Sequence, residues 1–269
     1  MRCIGLVVVC SVCHAVTVSP VAEQAWRAYI RQVEERILQQ HTKRDTYLAT
    51  LNCDAQTRAR LESQLLSGSV LITPVDGGTK AVAGGLLHHW RAAAFVPGTT
   101  ARAMLQLLRD YDHLSQYYSP AVISSHLVAA DTSGAIVAMR TKQKEIITVV
   151  LDSEFRVENT MDGDERGYEF SRSTHIWQVD NTGSYDERRR PEDDGDGLLW
   201  RLNSYWSFVQ WRSGLLIECE SLSLTRDVPA GVGWLITPII RDLPRESLEF
   251  TIRATEKALQ TKAKQEAER

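Results

Sequence analysis

The chain has 269 residues, of which 43% are hydrophobic and 24% are charged, and this composition is typical of a folded globular protein. The formal net charge of -3 at pH 7 argues against the strongly basic surface that binds a nucleic acid backbone, so we expect no nucleic acid partner. The sequence also has no run of roughly 18 apolar residues that would cross a bilayer.

Residues 1–15 have the pattern of a secretory signal peptide. Arg2 precedes an apolar run from Cys3 to Val9, and small residues follow up to a predicted cleavage site near Ala15. The pattern predicts an exported protein, either periplasmic or secreted. The same segment contains the haem-attachment spacing Cys10-Ser11-Val12-Cys13-His14. Haem is attached after export, so we expect no cofactor in the cleaved chain. The haem hypothesis stays open if this segment is retained.

The next segment, 20–66, is predicted to be helical. Apolar residues recur every three or four positions from Pro20 to about Gln40, which indicates an amphipathic helix. A second, shorter helix is expected from Asp54 to Leu66, with Asp54 as its N-cap. The apolar stripe of the first helix must cover either its own domain or another chain, so a protein partner through 20–66 is an alternative. The stripe consists of Ala22, Trp26, Tyr29, Ile30, Val33 and Ile37.

The remaining sequence predicts a single α+β domain, 84–264, after an extended linker, 67–83. A helical stretch with a Thr cap follows the first strand, and a long helix is expected from Pro244 to about Lys264. Turn signals such as Ser213-Gly214 separate the strands. Seven strands are predicted, at about 85–96, 121–130, 134–143, 145–160, 165–180, 197–211 and 214–227.

Three stretches of this domain resemble a known superfamily. FVPGTTARAMLQLLRDYDHLSQYYSPAVISSHLV resembles the opening of START-like (SRPBCC) proteins, and LLIECESLSLTRDVP with LPRESLEFTIRATEKALQ resembles their closing strand and helix. The superfamily includes polyketide cyclases, coenzyme Q-binding proteins and the birch-pollen allergen group. The resemblance covers about 84–261. It implies a helix-grip fold, in which a seven-stranded antiparallel sheet wraps around a long C-terminal helix and leaves a ligand cavity between them. Here an extra N-terminal helical segment precedes that fold.

The last hairpin indicates which sheet face lines the interior. With Ser213-Gly214 as the turn, one face carries no charge, so we predict that it is the inner one. On that face the predicted cross-strand pairs are Phe208 with Cys219, Trp206 with Ser221, Ser204 with Ser223, and Leu202 with Thr225. The opposite face is expected to be a charged outer face with ordinary ion pairs, and it carries Arg201, Asn203, Tyr205, Glu218, Glu220 and Arg226.

Large aromatic residues opposite small hydroxyl residues are typical of a ligand pocket. His88 and Trp90 share one face of the first strand, whereas His88 and His89 point to opposite sides and cannot ligate one metal, so no metal site is expected. A solid core filled by helix side chains is the alternative. The predicted cavity lining is His88, Trp90, Leu202, Ser204, Trp206, Phe208, Cys219, Ser221, Ser223, Leu248 and Ile252.

Two functions fit this lining. The first is binding of an apolar small molecule such as a lipid or quinone, extended to its transfer between membranes through transient membrane contact. The second is a polyketide cyclase or aromatase type of enzyme, which needs a titratable group inside the cavity. Only His88 clearly offers one, so no catalytic residue is assigned. Whether Cys53 and Cys219 form a disulfide stays open.

Overall fold

The computed structural model describes residues 18–144, 148–191, 199–226 and 233–267. The predicted signal peptide and its haem-type motif lie outside these residues, so export and cleavage stay predictions. Across the described ranges, no helix is both long and apolar enough to cross a membrane.

The N-terminal helices form where the sequence predicts them. Helix α1 spans Pro20–His41, and its N-cap Ser19 accepts a hydrogen bond from the amide of Ala22. Helix α2 spans Ala55–Leu66, and the Asp54 carboxylate accepts from the amide of Thr57. Two 3-10 turns lie between them, at Arg44–Thr46 and Ala49–Leu51.

The strands form one antiparallel sheet in the order β1-β2-β9-β8-β6-β5-β4-β3, with the short β7 paired to β6. Helices α3 (Ala101–Leu108) and α4 (Leu114–Tyr117) follow β2, and α3 begins at the predicted Thr100 cap. The strands are β1 Leu71–Val82, β2 Gly85–Pro97, β3 Val122–Asp131, β4 Gly134–Lys144, β5 Thr148–Asp162, β6 Arg166–Asp180, β7 Arg188–Arg189, β8 Leu199–Trp211 and β9 Gly214–Arg226.

Strand β1 replaces most of the predicted linker 67–83. It pairs with β2 on both sides of an irregularity between Pro74 and Thr79. Within that interruption Asp76, Gly77 and Gly78 have φ angles of 49°, 86° and 79°. The glycines that suggested a linker therefore form a bulge in an edge strand. With β1 and β7, the described sheet has nine strands rather than seven.

The C-terminal helix is longer than predicted. Helix α5 spans Gly233–Ala267, so Pro244 lies inside it rather than in its first turn. Proline fits the first turn of a helix and removes one hydrogen bond elsewhere, which is why the sequence favoured a start at Pro244. Packing against the sheet overrides that local preference, because α5 lies along β2 and β9.

The last hairpin turns one residue earlier than predicted. Trp211 pairs with Gly214, so Arg212 and Ser213 form the turn, and Arg212 adopts a φ of 52°. Gly214 is already in the strand, where a Cβ would lie 2.4 Å from the carbonyl oxygen of Val96. The glycine thus serves close strand packing rather than the turn.

This shift moves every predicted cross-strand partner by two residues. Trp206 pairs with Cys219, Phe208 with Ile217, Ser204 with Ser221 and Leu202 with Ser223. Because side chains alternate with a period of two, a shift of two leaves each residue on its predicted face. The pairs were wrong, but the face assignment agrees with the packing of Trp206, Phe208 and Cys219 against α5.

The opposite, outer face of the sheet is buried beneath the N-terminal helices. Trp26, Val33 and Ile37 of α1 pack on this face, where they contact a cluster that includes Tyr205 and Leu222. A second cluster holds the segment from Tyr47 to Leu65. The apolar stripe of α1 therefore covers its own domain, and the protein has three layers: N-terminal helices, sheet and α5.

The charged residues of the outer face are consequently interior. Glu220 is 2% exposed and is bonded by Arg36, His89 and Arg91. Glu218 is equally buried and accepts from the amides of Ala49 and Thr50 at 2.9 and 2.7 Å. The predicted ion pairs are present, but this face is buried rather than outermost, because its charges have partners in the N-terminal segment.

Candidate ligand-binding site on the inner face

Four half-buried side chains form a row across the inner face of the sheet. Trp90 pairs with Ser221, Ser221 with Ser204, and Ser204 with Ser171, on four adjacent strands. We call these four residues the serine row. The hydroxyls of Ser171, Ser204 and Ser221 have no hydrogen bond to another described residue. Polar groups with spare hydrogen-bonding capacity thus lie on an otherwise interior face.

Other predicted lining residues belong to solid core. Trp206, Phe208 and Cys219 are buried in one cluster with Leu248 and Ile252 of α5. This packing favours the solid-core alternative at this end of the inner face, and the prediction that these residues line a cavity stays a prediction. Leu202 is half-buried and Ser223 is buried, and both lie on the other side of the serine row.

His88 is held by two threonines. It is fully buried, with Nδ1 3.0 Å from the Thr79 hydroxyl and Nε2 2.9 Å from the Thr225 hydroxyl. Both ring nitrogens are engaged within the protein, which is typical of a structural histidine. This arrangement gives little support to His88 as a ligand anchor or as an acid or base.

Trp90 has an unused donor. Its indole Nε1 is buried and bonds to no described residue. A Cβ at Gly78 would lie 2.8 Å from the Trp90 ring, so the β1 bulge passes directly over the indole. The bulge therefore bounds the serine row at this edge of the sheet.

Glu169 is an inner-face residue that the sequence analysis missed. It pairs with Trp206 and lies two residues before Ser171 on β6, so its side chain points to the same face. It is 5% exposed, and its Oε2 is 3.4 Å from Nδ2 of Asn159. Among the described residues, Oε1 has no hydrogen-bond partner. Glu169 lies on β6, outside the last hairpin, and only the β6–β8 pairing places it on the inner face.

Polar residues connect Glu169 to the surface. Asn159 donates to the Tyr111 hydroxyl at 3.1 Å and accepts from Nε of the exposed Arg109 at 2.6 Å. Arg109 is therefore directed to Asn159, and its charge reaches Glu169 only at a distance. A separate hydrogen bond on the α5 side joins the hydroxyls of Tyr118 and Thr255 at 2.9 Å.

Burial raises the pKa of Glu169 to about 8, and the Asn159 hydrogen bond only partly opposes this effect. Between pH 4.5 and 8 the folded protein retains a proton that the unfolded chain has lost, so this group makes stability fall as pH rises. We expect Glu169→Gln to remove that fall.

The measurement is urea denaturation of both proteins at several pH values. The comparison of the two proteins is necessary because burial lowers the pKa of His41 to about 4, which makes stability rise with pH from about 4 to 6.5. If the unfolding free energies of wild type and Glu169→Gln changed with pH in parallel, the prediction for Glu169 would be contradicted.

Two open hollows occur at the surface, away from the serine row. One, of about 420 Å³, lies between α2 and the C-terminal half of α5 and includes Leu66, Phe95 and Lys257. The other, of about 400 Å³, lies between α1 and the sheet beside Arg172 and Arg201. Neither contains a predicted lining residue.

The two described cysteines do not form a disulfide with each other. Cys53 and Cys219 are both free thiols, and Cys219 is buried on the inner face. Within the described ranges, no group of three His, Cys, Asp or Glu side chains is arranged to hold a metal ion.

Three solved structures are similar to this chain at low sequence identity. A STAR-related lipid transfer protein fragment from Xanthomonas axonopodis is 17% identical with a TM-score of 0.43, over 71% of this chain and 98% of that one. A START superfamily protein from Mycobacterium smegmatis is 12% identical with a TM-score of 0.44, over 65% and 98%. A Streptomyces aromatase/cyclase is 12% identical with a TM-score of 0.37, over 68% and 94%. No family model and no curated protein matches the chain.

The chain has a helix-grip fold. Its antiparallel sheet and long C-terminal helix are the elements that the resemblance implied, and the N-terminal helices are the predicted extra segment. At such identities and TM-scores the similarity says nothing about function. What the inner face binds must be argued from its own residues.

Proposed function

We propose that the protein binds an apolar small molecule or lipid between the serine row and helix α5. The observation that carries the proposal is that this row, on an interior face, is half-buried and has free hydrogen-bonding groups. Apolar walls with a few polar groups are typical of small-molecule sites. The affinity would come from burial of apolar ligand surface, at about 25 cal/mol per Å².

The first test is to fill the proposed site. Ser221→Trp places a second indole in the serine row. We expect this variant to lose binding of an apolar fluorescent probe such as an anthracenyl fatty ester. Ser124→Trp is the matched control, because Ser124 is exposed on edge strand β3. Equal binding by Ser221→Trp and wild type would contradict the proposal, as would native mass spectrometry that finds no extractable ligand and no probe binding.

Export and lipid transfer are part of the same proposal. The segment 1–15 supports export through its signal-peptide pattern, and the proposed ligand supports transfer between membranes. N-terminal sequencing of protein recovered outside the cytoplasm tests the first point, and a chain that starts at Met1 would contradict cleavage. Movement of a fluorescent lipid between vesicles tests the second.

A second candidate function is acid–base catalysis on a bound carbonyl compound. Glu169 favours it, because this buried inner-face carboxyl remains protonated near neutral pH. Incubation with an aromatic 1,3-diketone, followed by mass spectrometry, provides the test. Product from wild type but not from Glu169→Gln supports catalysis, and no product from either protein counts against it.

A further inference from the structure

We propose that the bound molecule is an apolar alcohol whose hydroxyl is held by Glu169 and the adjacent serine row, and that a carboxylate of the same length is rejected. This inference rests on the proposed function and assigns the chemistry of the ligand's polar end. It follows from the buried position, hydrogen bonding and electrostatic surroundings of Glu169.

Glu169 offers a free hydrogen-bonding atom at the inner end of the row. Glu169 is only 5% exposed, and its Oε1 has no hydrogen-bond partner among the described residues. Because Oε1 is not itself enclosed by protein atoms, a ligand group can reach it and form a hydrogen bond in this largely buried site. Ser171, two residues along the same strand, provides a hydroxyl on the same face.

A ligand hydroxyl suits both partners. It donates one hydrogen bond and accepts another, as do serine hydroxyls and a protonated carboxyl group. An alcohol therefore donates to one of these oxygens and accepts from another, whichever protonation state Glu169 adopts. Amphipathic molecules with a single neutral hydroxyl can thus bury their apolar part without leaving a polar atom unsatisfied.

A ligand carboxylate has no comparable partner among the described residues. Next to Glu169 it would bring a second acidic group into a buried region, and one of the two would have to remain protonated. Among the described residues, the cation that acts on Glu169 is Arg109, which is exposed and directs its Nε to Asn159. Neutralisation of a buried carboxylate would require a closer cation than this one.

The experiment measures displacement of a fluorescent apolar probe by decanol, decanoate and decane at pH 7. We expect decanol to bind at least tenfold more tightly than decanoate to the wild-type protein. Glu169→Leu should weaken decanol binding about tenfold and leave decane unchanged. The control Glu35→Leu changes an exposed glutamate on α1 and should leave all three affinities unchanged.

The outcomes separate this inference from the proposed function. Equal affinity for decanol and decanoate, or a decanol preference that survives in Glu169→Leu, would overturn the inference while the site itself stands. If the wild type bound neither the fluorescent probe nor any of the three ligands, the proposed function would instead be rejected. Because Glu169→Leu could disturb folding, Glu169→Gln is measured too, and it should retain the preference for decanol over decanoate.

Discussion

Replacing Glu220 with alanine is expected to destabilise the protein by about 3–5 kcal/mol. The Glu220 carboxylate is the common acceptor for three groups beneath the N-terminal helices. His89 Nε2 lies 2.7 Å from Oε2, and Arg91 Nε lies 2.9 Å from Oε1. Arg36 on α1 forms a fork with both oxygens. Its removal leaves these donors without their anion in a buried layer, which costs more than the loss of an exposed pair.

The same cluster predicts loss of stability in acid. Burial alone would raise the pKa of Glu220, but the hydrogen bond from His89 and the charge of Arg91 outweigh it and hold the pKa well below its usual range. A carboxyl with a lowered folded-state pKa stabilises the protein above its unfolded value near 4.5, and this contribution is lost as the pH falls below it. Glu220→Ala should therefore flatten the acid limb of the stability curve.

The measurement is urea denaturation at pH 7 and at acidic pH. Arg102→Ala serves as the control, because Arg102 and Asp164 form an exposed pair at 2.9 Å. Exposed pairs contribute about 0–1 kcal/mol, so this variant should remain close to wild type. A Glu220→Ala protein within 1 kcal/mol of wild type would show that α1 is held mainly by its apolar stripe.

The sequence predicts the inner face better than the outer one, for a physical reason. The inner-face assignment tolerates the two-residue error in the hairpin register because side chains alternate with a period of two. The outer face carries the predicted ion pairs, but its burial beneath α1 was not predicted. Glu220 is buried by a partner, Arg36, that lies 184 residues away in the sequence, and no local pattern predicts such a contact.

The other errors also arise where long-range packing overrides local composition. Gly77 and Gly78 suggested a linker, yet their strand is held by pairing with β2. Pro244 suggested a helix start, yet α5 continues through it. Glu169 is recognisable as an inner-face residue only after β6 is paired with β8, and this neighbour relation skips β7 along the chain.

Phe208→Ala is expected to destabilise the protein by about 3–5 kcal/mol, because it opens a cavity in the core between the sheet and α5. Phe208 is fully buried in the cluster that contains Ile252. Its ring also fills the space over Gly167, where a Cβ would lie 2.7 Å from the ring. With no side chain at Gly167 to move into the vacated volume, little relaxation can offset the loss.

This variant also tests whether the inner face is divided into solid core and ligand site. Leu38→Ala is the control, since Leu38 is 47% exposed on α1 and its truncation should change stability by no more than about 0.5 kcal/mol. Ser221→Ala, in the serine row, removes one half-buried hydroxyl and should cost less than about 1 kcal/mol. If Phe208→Ala were as mild as Ser221→Ala in urea denaturation, the Phe208 end would be loosely packed, and the ligand site would extend beyond the serine row.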